Sequence, residues 1–95
     1  MKTWILVSAN SESDFGPDVM KYIGTEDGVK ECLLAMAEYD RDNDKEGFEY
    51  GAEDESNIKL HTNQTGEVVK MTTTACFSDY HVDYAAFEFG KIEEM

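Results

Sequence analysis

The sequence predicts an α+β fold, in which one amphipathic helix packs on one face of an antiparallel sheet of four to five strands. Two observations support this class. One segment carries apolar residues at helical spacing, and several short segments rich in β-branched residues are separated by turn residues. The 95 residues contain no internal repeat and no linker, so residues 1–95 are expected to form a single domain.

The first two predicted strands flank a polar turn. Thr3–Ala9 ("TWILVSA") holds an unbroken apolar run, which is typical of a strand covered on both faces. Asp18–Gly24 ("DVMKYIG") alternates along the chain and is expected to pair with the first strand as a hairpin. Because Pro17 precedes this segment and Gly24 ends it, two helical turns are the alternative interpretation.

An amphipathic helix is predicted from Thr25 to about Asp42. Thr25 is a suitable N-cap residue, and Glu26 and Asp27 stand where the helix dipole favours anions. The apolar residues recur at i, i+3, i+4 and i+7 and are expected to face the core. They are Val29, Cys32, Leu33, Met36 and Tyr39.

Three further strands are predicted after the helix, over residues 57–61, 67–78 and 80–89. In the second of them, alternation places one set of side chains on a common side. That set is Val69, Met71, Thr73, Ala75 and Phe77. In the last strand the same alternation separates two sets, Tyr80, Val82 and Tyr84 on one side and His81 and Asp83 on the other.

The charge balance limits the classes of partner. Twenty-one acidic residues against eight basic ones give a formal net charge of −13. This surface repels phosphate backbones and anionic lipid, so direct nucleic-acid or membrane binding is not expected, whereas basic proteins and metal cations are attracted. No secretory signal or membrane-length apolar run is visible, which favours the cytoplasm. Cys32 and Cys76 lack metal-site spacing and are expected to be buried thiols, with a bridge between them as the alternative.

The segment Tyr39–Asp54 ("YDRDNDKEGFEYGAED") is the most acidic part of the chain. Carboxylates at this density resist burial, so they are expected to face water or a cationic partner. If residues 40–46 are extended, carboxylates at every second position lie on one side about 6.5–7 Å apart, comparable with phosphate spacing. Phe48 and Tyr50 serve either as interface anchors or as core residues. The predicted partner-binding residues are Glu38, Tyr39, Asp40, Asp42, Asp44, Glu46, Phe48, Glu49, Tyr50, Glu53, Asp54 and Glu55.

A calcium loop is the competing interpretation of the same segment. A loop that begins at Asp42 places oxygen ligands and a glycine at the required positions. These residues are Asp42, Asp44, Glu46, Gly47 and Glu53. Glu46 is longer than the residue expected at its position, and the residues beyond the loop predict a strand instead of a second helix. Divalent-cation binding therefore stays the alternative hypothesis.

No catalytic constellation is evident. Asp79, His81 and Asp83 alternate along one predicted strand, and His61 could add a third metal ligand if its strand lay alongside. Alternation of this kind is, however, typical of the polar side of a strand. Ser78 lies too close in sequence to His81 for a nucleophilic triad, and no glycine-rich phosphate loop is present. We therefore expect a protein that is not an enzyme and needs no cofactor.

These features together suggest an acidic binding module. The chain resembles small protein inhibitors of restriction and CRISPR nucleases in its size, its charge and its lack of a catalytic signature, although no motif identifies a family. The leading hypothesis is a nucleic-acid-mimicking protein, monomeric or a small homo-oligomer, that binds a basic partner such as a nucleic-acid-binding protein or nuclease. A divalent-cation-binding protein, or a small domain whose acidity serves only solubility, are the alternatives.

Overall fold

A computed structural model describes residues 2–12 and 16–89, which contain six β-strands, one α-helix and one 3-10 turn. The strands are β1 (Lys2–Asn10), β2 (Asp18–Gly24), β3 (Phe48–Tyr50), β4 (Lys59–Thr62), β5 (Val68–Phe77) and β6 (His81–Glu88). The helix α1 spans Glu26–Asn43, and the 3-10 turn spans Glu55–Asn57. The predicted α+β class is confirmed, with one helix and six strands in place of the expected four or five.

All strand pairs in the sheet are antiparallel. The order is β2-β1-β6-β5, and both β3 and β4 pair with the outer side of β5. The predicted hairpin of β1 and β2 is confirmed, with Leu6 opposite Met20. β5 and β6 are joined by a tight turn in which the Phe77 amide donates to the Tyr80 carbonyl over 2.8 Å. β1 and β6 are therefore the central strands.

The helix begins where the sequence predicts. The hydroxyl of Thr25 accepts a hydrogen bond from the Gly28 amide over 3.1 Å, which caps the first turn. Val29 and Leu33 are fully buried, and Ala37 continues their line one turn further on. Tyr39, predicted to face the core, is instead 70% exposed. It follows Ala37 by two residues, and two residues rotate a side chain by about 200° around a helix.

The core lies between α1 and one face of the sheet. The predicted alternation in β5 is confirmed from Met71 onward, because Met71, Thr73, Ala75 and Phe77 are buried in the core. Val69, the first residue of the predicted set, is only half-buried. Val82 and Tyr84 reach the same layer from β6, as predicted for one side of that strand. Trp4 and Leu6 complete the layer from β1.

The other face of the sheet carries no helix or strand from the described part of the chain. The prediction that β1 is covered on both faces is therefore wrong: Ile5 and Val7 point to this open face and are only half-buried. Across the four long strands, Asp83 is the one carboxylate on the open face, where the register also places Lys21 and Lys70. The negative charge of the described chain is thus concentrated on the helix side and in the loops.

Candidate functional site

The predicted row of carboxylates along an extended segment does not form. Residues up to Asn43 belong to α1, so Asp40 and Asp42 project in nearly opposite directions instead of along one side. Asp42 is exposed, whereas Asp40 is half-buried and faces the sheet. The row fails because the helix continues three residues beyond Asp40.

Asp40 is held by a buried tyrosine. The Tyr84 hydroxyl donates a hydrogen bond of 2.6 Å to Asp40 Oδ2, and the Tyr84 side chain is fully buried in the core. Burial raises the pKa of Tyr84, and the hydrogen bond to Asp40 raises it further. The hydroxyl therefore keeps its proton and remains a donor to the carboxylate. Asp40 thus links α1 to the central strand β6.

Asp44 plays a similar part at the end of the helix. Its Oδ1 accepts a hydrogen bond from the Gly47 amide over 3.0 Å, and its Oδ2 accepts one from the Tyr80 hydroxyl over 2.8 Å. Burial, followed by the bond to Asp44, raises the pKa of Tyr80 to about 12. Tyr80 also stacks on Phe77, with 4.7 Å between ring centroids. Two of the predicted partner-binding acids are therefore engaged inside the molecule.

Phe48 and Tyr50 lie on opposite sides of β3. Phe48 is half-buried, meets the Phe77 ring edge-on at 5.6 Å and lies beneath the Arg41 guanidinium, which is 5.3 Å from the ring centroid. Tyr50 is 61% exposed and lies opposite Cys76, whose hydrogen bond raises the pKa of the Tyr50 hydroxyl. Phe48 is therefore a core residue, and Tyr50 is exposed away from the helix.

The outward face of α1 carries a row of exposed carboxylates. Four of them fall within about 60° around the helix and along about 22 Å of its axis. They are Asp27, Glu31, Glu38 and Asp42, which we call the acidic stripe. Among the described residues, its one ion pair joins Lys30 to Asp27 over 3.9 Å. The stripe is therefore largely unneutralised.

The segment after α1, which contains β3, the 3-10 turn and their connecting loops, adds further exposed carboxylates. They are Glu46, Glu49, Glu53, Asp54 and Glu55. Asp54 caps the 3-10 turn: it accepts hydrogen bonds from the Ser56 hydroxyl and from the Ser56 amide, and these bonds lower the pKa of Asp54. In residues 2–12 and 16–89, none of these five carboxylates forms an ion pair with a lysine or arginine.

The residues of the predicted calcium loop are not brought together. Asp42 points outward from the helix, while both oxygens of Asp44 accept hydrogen bonds from the protein. The segment that follows forms β3 and the 3-10 turn instead of a second helix. Across the described ranges, no group of three or more histidine, cysteine, aspartate or glutamate side chains is placed to hold a metal ion.

The two histidines are also far from one another in the sheet. His81 lies 3.5 Å from Asp83 on β6, and Asp83 accepts a hydrogen bond of 2.8 Å from Thr74. His61 lies on β4, on the far side of β5, where its ring bonds to Thr72. The third metal ligand considered from the sequence is therefore not in place beside His81.

Both cysteines are free and half-buried, so the prediction of fully buried thiols is only partly correct. Cys32 packs against the core from the helix, and burial raises the pKa of its thiol, with a smaller effect from Glu31. Cys76 lies opposite His81 on the open face of the sheet. The sheet separates the two thiols, which excludes a bridge between them in this fold.

A groove between β2 and the neighbouring flank of α1 was not predicted from the sequence. It encloses about 360 Å³ and is lined mainly by Asp18, Met20, Met36, Tyr39 and Asp40. The groove exists because the edge strand lies beside the helix, and no local pattern indicates that placement. Tyr39 lines the groove and belongs to the same helix as the acidic stripe.

No protein-family model, curated protein or solved structure matches this chain. Within residues 2–12 and 16–89, no helix combines the length and the apolar character needed to cross a membrane.

Proposed function

We propose that this chain is a non-enzymatic acidic binding protein that presents the acidic stripe of α1 to a basic surface of a partner protein. The partner class we favour is a nucleic-acid-binding enzyme such as a nuclease, since these enzymes carry a cationic groove for phosphates. The observation that carries the proposal is the row of four exposed carboxylates with one lysine partner.

The arrangement of the stripe costs stability in the free protein. Asp27 and Glu31, and likewise Glu38 and Asp42, are like-charged pairs at i, i+4. Each such pair destabilises a helix by about 0.2–0.5 kcal/mol, whereas a lysine at the fourth position would stabilise it by a similar amount. A helix whose charges bind a partner is expected to retain such like-charged pairs although they lower its stability.

The distribution of charge over the molecule also supports binding. A purely solubilising charge can be spread over every face, but the four long strands place one carboxylate, Asp83, on the open face of the sheet. A scarcity of acids on one face makes the charge distribution asymmetric, and an asymmetric charge distribution orients a molecule as it approaches a cationic groove and raises the association rate.

Matched charge-reversal variants test the proposal. Glu38→Lys with Asp42→Lys reverses half of the stripe, and Glu12→Lys with Asp79→Lys makes the same change in net charge at exposed turn positions. Binding to a panel of purified basic nucleases is measured by surface-immobilised kinetics at low and at high salt, with duplex DNA as competitor. We expect the stripe variant to lose at least about tenfold in affinity, or ~1.4 kcal/mol, and the control to lose much less.

Two results would contradict the proposal. Equal losses in both variants would show that net charge alone, and not the stripe, governs the interaction. Binding that duplex DNA does not displace would show that the partner's phosphate groove is not the site.

A further inference from the structure

The groove between β2 and α1 has the dimensions of a site for a single side chain. The groove has a volume of about 360 Å³ and adjoins a second cavity of about 210 Å³. Both are lined in part by Ser8, Asp18 and Asp40. Small-molecule sites span about 300–1,000 Å³, so this groove stands at the lower end of that range. An extended side chain fits it better than a large organic ligand does.

The two ends of the groove differ in chemistry. One end is apolar and open to solvent, because Met20 is 52% exposed and the half-buried Met36 lies between β2 and the helix. Tyr39, which is 70% exposed, also lines the groove and directly precedes Asp40 in the helix. The other end is acidic. Its carboxylates belong to Asp18 and Asp40, which approach it from β2 and from α1 respectively.

Both carboxylates have oxygen atoms available for a ligand. Asp18 is exposed and has no hydrogen-bond or ion-pair partner among the described residues. In Asp40, Oδ2 accepts the bond from Tyr84, and that bond fixes the carboxylate while Oδ1 stays open to a further donor. The tyrosine therefore orients one of the two acids at this end of the groove.

We propose that the groove binds an arginine side chain of a basic partner protein. The aliphatic stem packs on Met20 and Met36, and the guanidinium group reaches the two carboxylates, beside the ring of Tyr39. Arginine fits better than lysine because its planar fork pairs with carboxylates through several N–H donors and stacks on aromatic rings. This site rests on the proposed function and adds to it one specific arginine contact, beside the general attraction of the acidic stripe for a basic surface.

A titration with acetyl-arginine amide tests the groove without any partner protein. The full chain is labelled in its methionine methyl groups, and the Met20 and Met36 signals are followed by NMR. We expect these two signals to shift and saturate, with acetyl-lysine amide and the uncharged acetyl-citrulline amide binding more weakly. Asp18→Asn should weaken arginine binding by about two- to fivefold, as for an exposed ion pair, whereas Asp42→Asn, with the same charge change outside the groove, should not.

Three outcomes would overturn the assignment. These are shifts spread over all five methionines without saturation, equal effects of Asp18→Asn and Asp42→Asn, and equal binding of the arginine and citrulline compounds. The titration measures binding in the groove and uses the stripe residue Asp42 only as a control, so it can fail while the charge-reversal experiment succeeds, and the reverse also holds.

Discussion

Removing the carboxylate of Asp40 should destabilise the fold much more than removing that of Asp42, two residues away on the same helix. Asp40→Ala leaves the Tyr84 hydroxyl, which lies in a fully buried side chain, without its acceptor. An unsatisfied buried donor of this kind costs about 1–3 kcal/mol. Asp42 is exposed, and surface substitutions usually stay within about 0.5 kcal/mol.

The two variants are matched in residue type, in secondary structure and in the change of net charge, but Asp42→Ala also removes the like-charged pair with Glu38, which is worth about 0.2–0.5 kcal/mol. Both replace aspartate by alanine inside α1, so both gain the same helix propensity and lose one negative charge. After this small contribution is subtracted, the difference between the two variants reports the bond between Asp40 and Tyr84. We expect a difference of about 2 kcal/mol in the free energy of unfolding, which corresponds to about 8–16 °C in the melting temperature of a domain this size.

Urea denaturation followed by circular dichroism measures this difference, and a double-mutant cycle confirms its origin. Tyr84→Phe alone should destabilise by about 1.5–2 kcal/mol, because the bond that it removes is to a charged acceptor. The double variant Asp40→Ala, Tyr84→Phe should cost less than the sum by about 1 kcal/mol or more. Strict additivity, or equal stability of Asp40→Ala and Asp42→Ala, would refute the role assigned to this pair.

Two further predictions concern alkaline pH and the turn before the 3-10 segment. The pKa of Tyr80 rises from 10.0 to about 12 on folding, so the stability that this group contributes is complete below pH 10 and is lost as the pH rises from 10 to 12. The urea midpoint should fall across that window and fall less in Tyr80→Phe; a flat midpoint would contradict the pKa direction. Gly51 and Gly66 both have a positive φ, but a Cβ at Gly51 would lie 2.2 Å from the Thr74 carbonyl oxygen, whereas one at Gly66 meets nothing within 4 Å. Gly66→Ala should destabilise the fold by about 1–2 kcal/mol through backbone strain, and Gly51→Ala should destabilise it clearly more, because the clash is added to the strain. Thermal melting measures both losses, and equal losses would exclude the clash with Thr74.

The elements that local sequence defines were predicted well. The cap at Thr25 and the buried Val29 and Leu33 depend on residues within a few positions of one another, and the structure confirms them. The apolar spacing places Tyr39 on the wrong face, because Tyr39 lies at the edge of the apolar arc, where a rotation by one residue around the helix separates core from solvent. The error concerns the width of the arc and not the helix itself.

The partners of the acidic segment could not be inferred from the sequence. Asp40 and Asp44 meet tyrosines that follow them by 44 and 36 residues, and only the packing of α1 on β6 brings them together. A helix with carboxylates on several sides carries no local signal of which carboxylate turns inward. The same holds for the groove, since Asp18 and Asp40 share it through the position of β2 beside the helix.

Salt should act in opposite directions on the free protein and on its complex. Screening, which has a length of about 10 Å at 0.1 M salt, relieves the repulsion within Asp27–Glu31 and Glu38–Asp42, so the free energy of unfolding should rise with salt. The same screening weakens attraction to a basic partner, so the affinity should fall. Glu38→Lys with Asp42→Lys should flatten both dependences. If the acids serve solubility alone, the free energy of unfolding will still rise with salt, but no complex will form whose affinity could fall. Measuring both quantities on one preparation therefore separates solubility from partner binding.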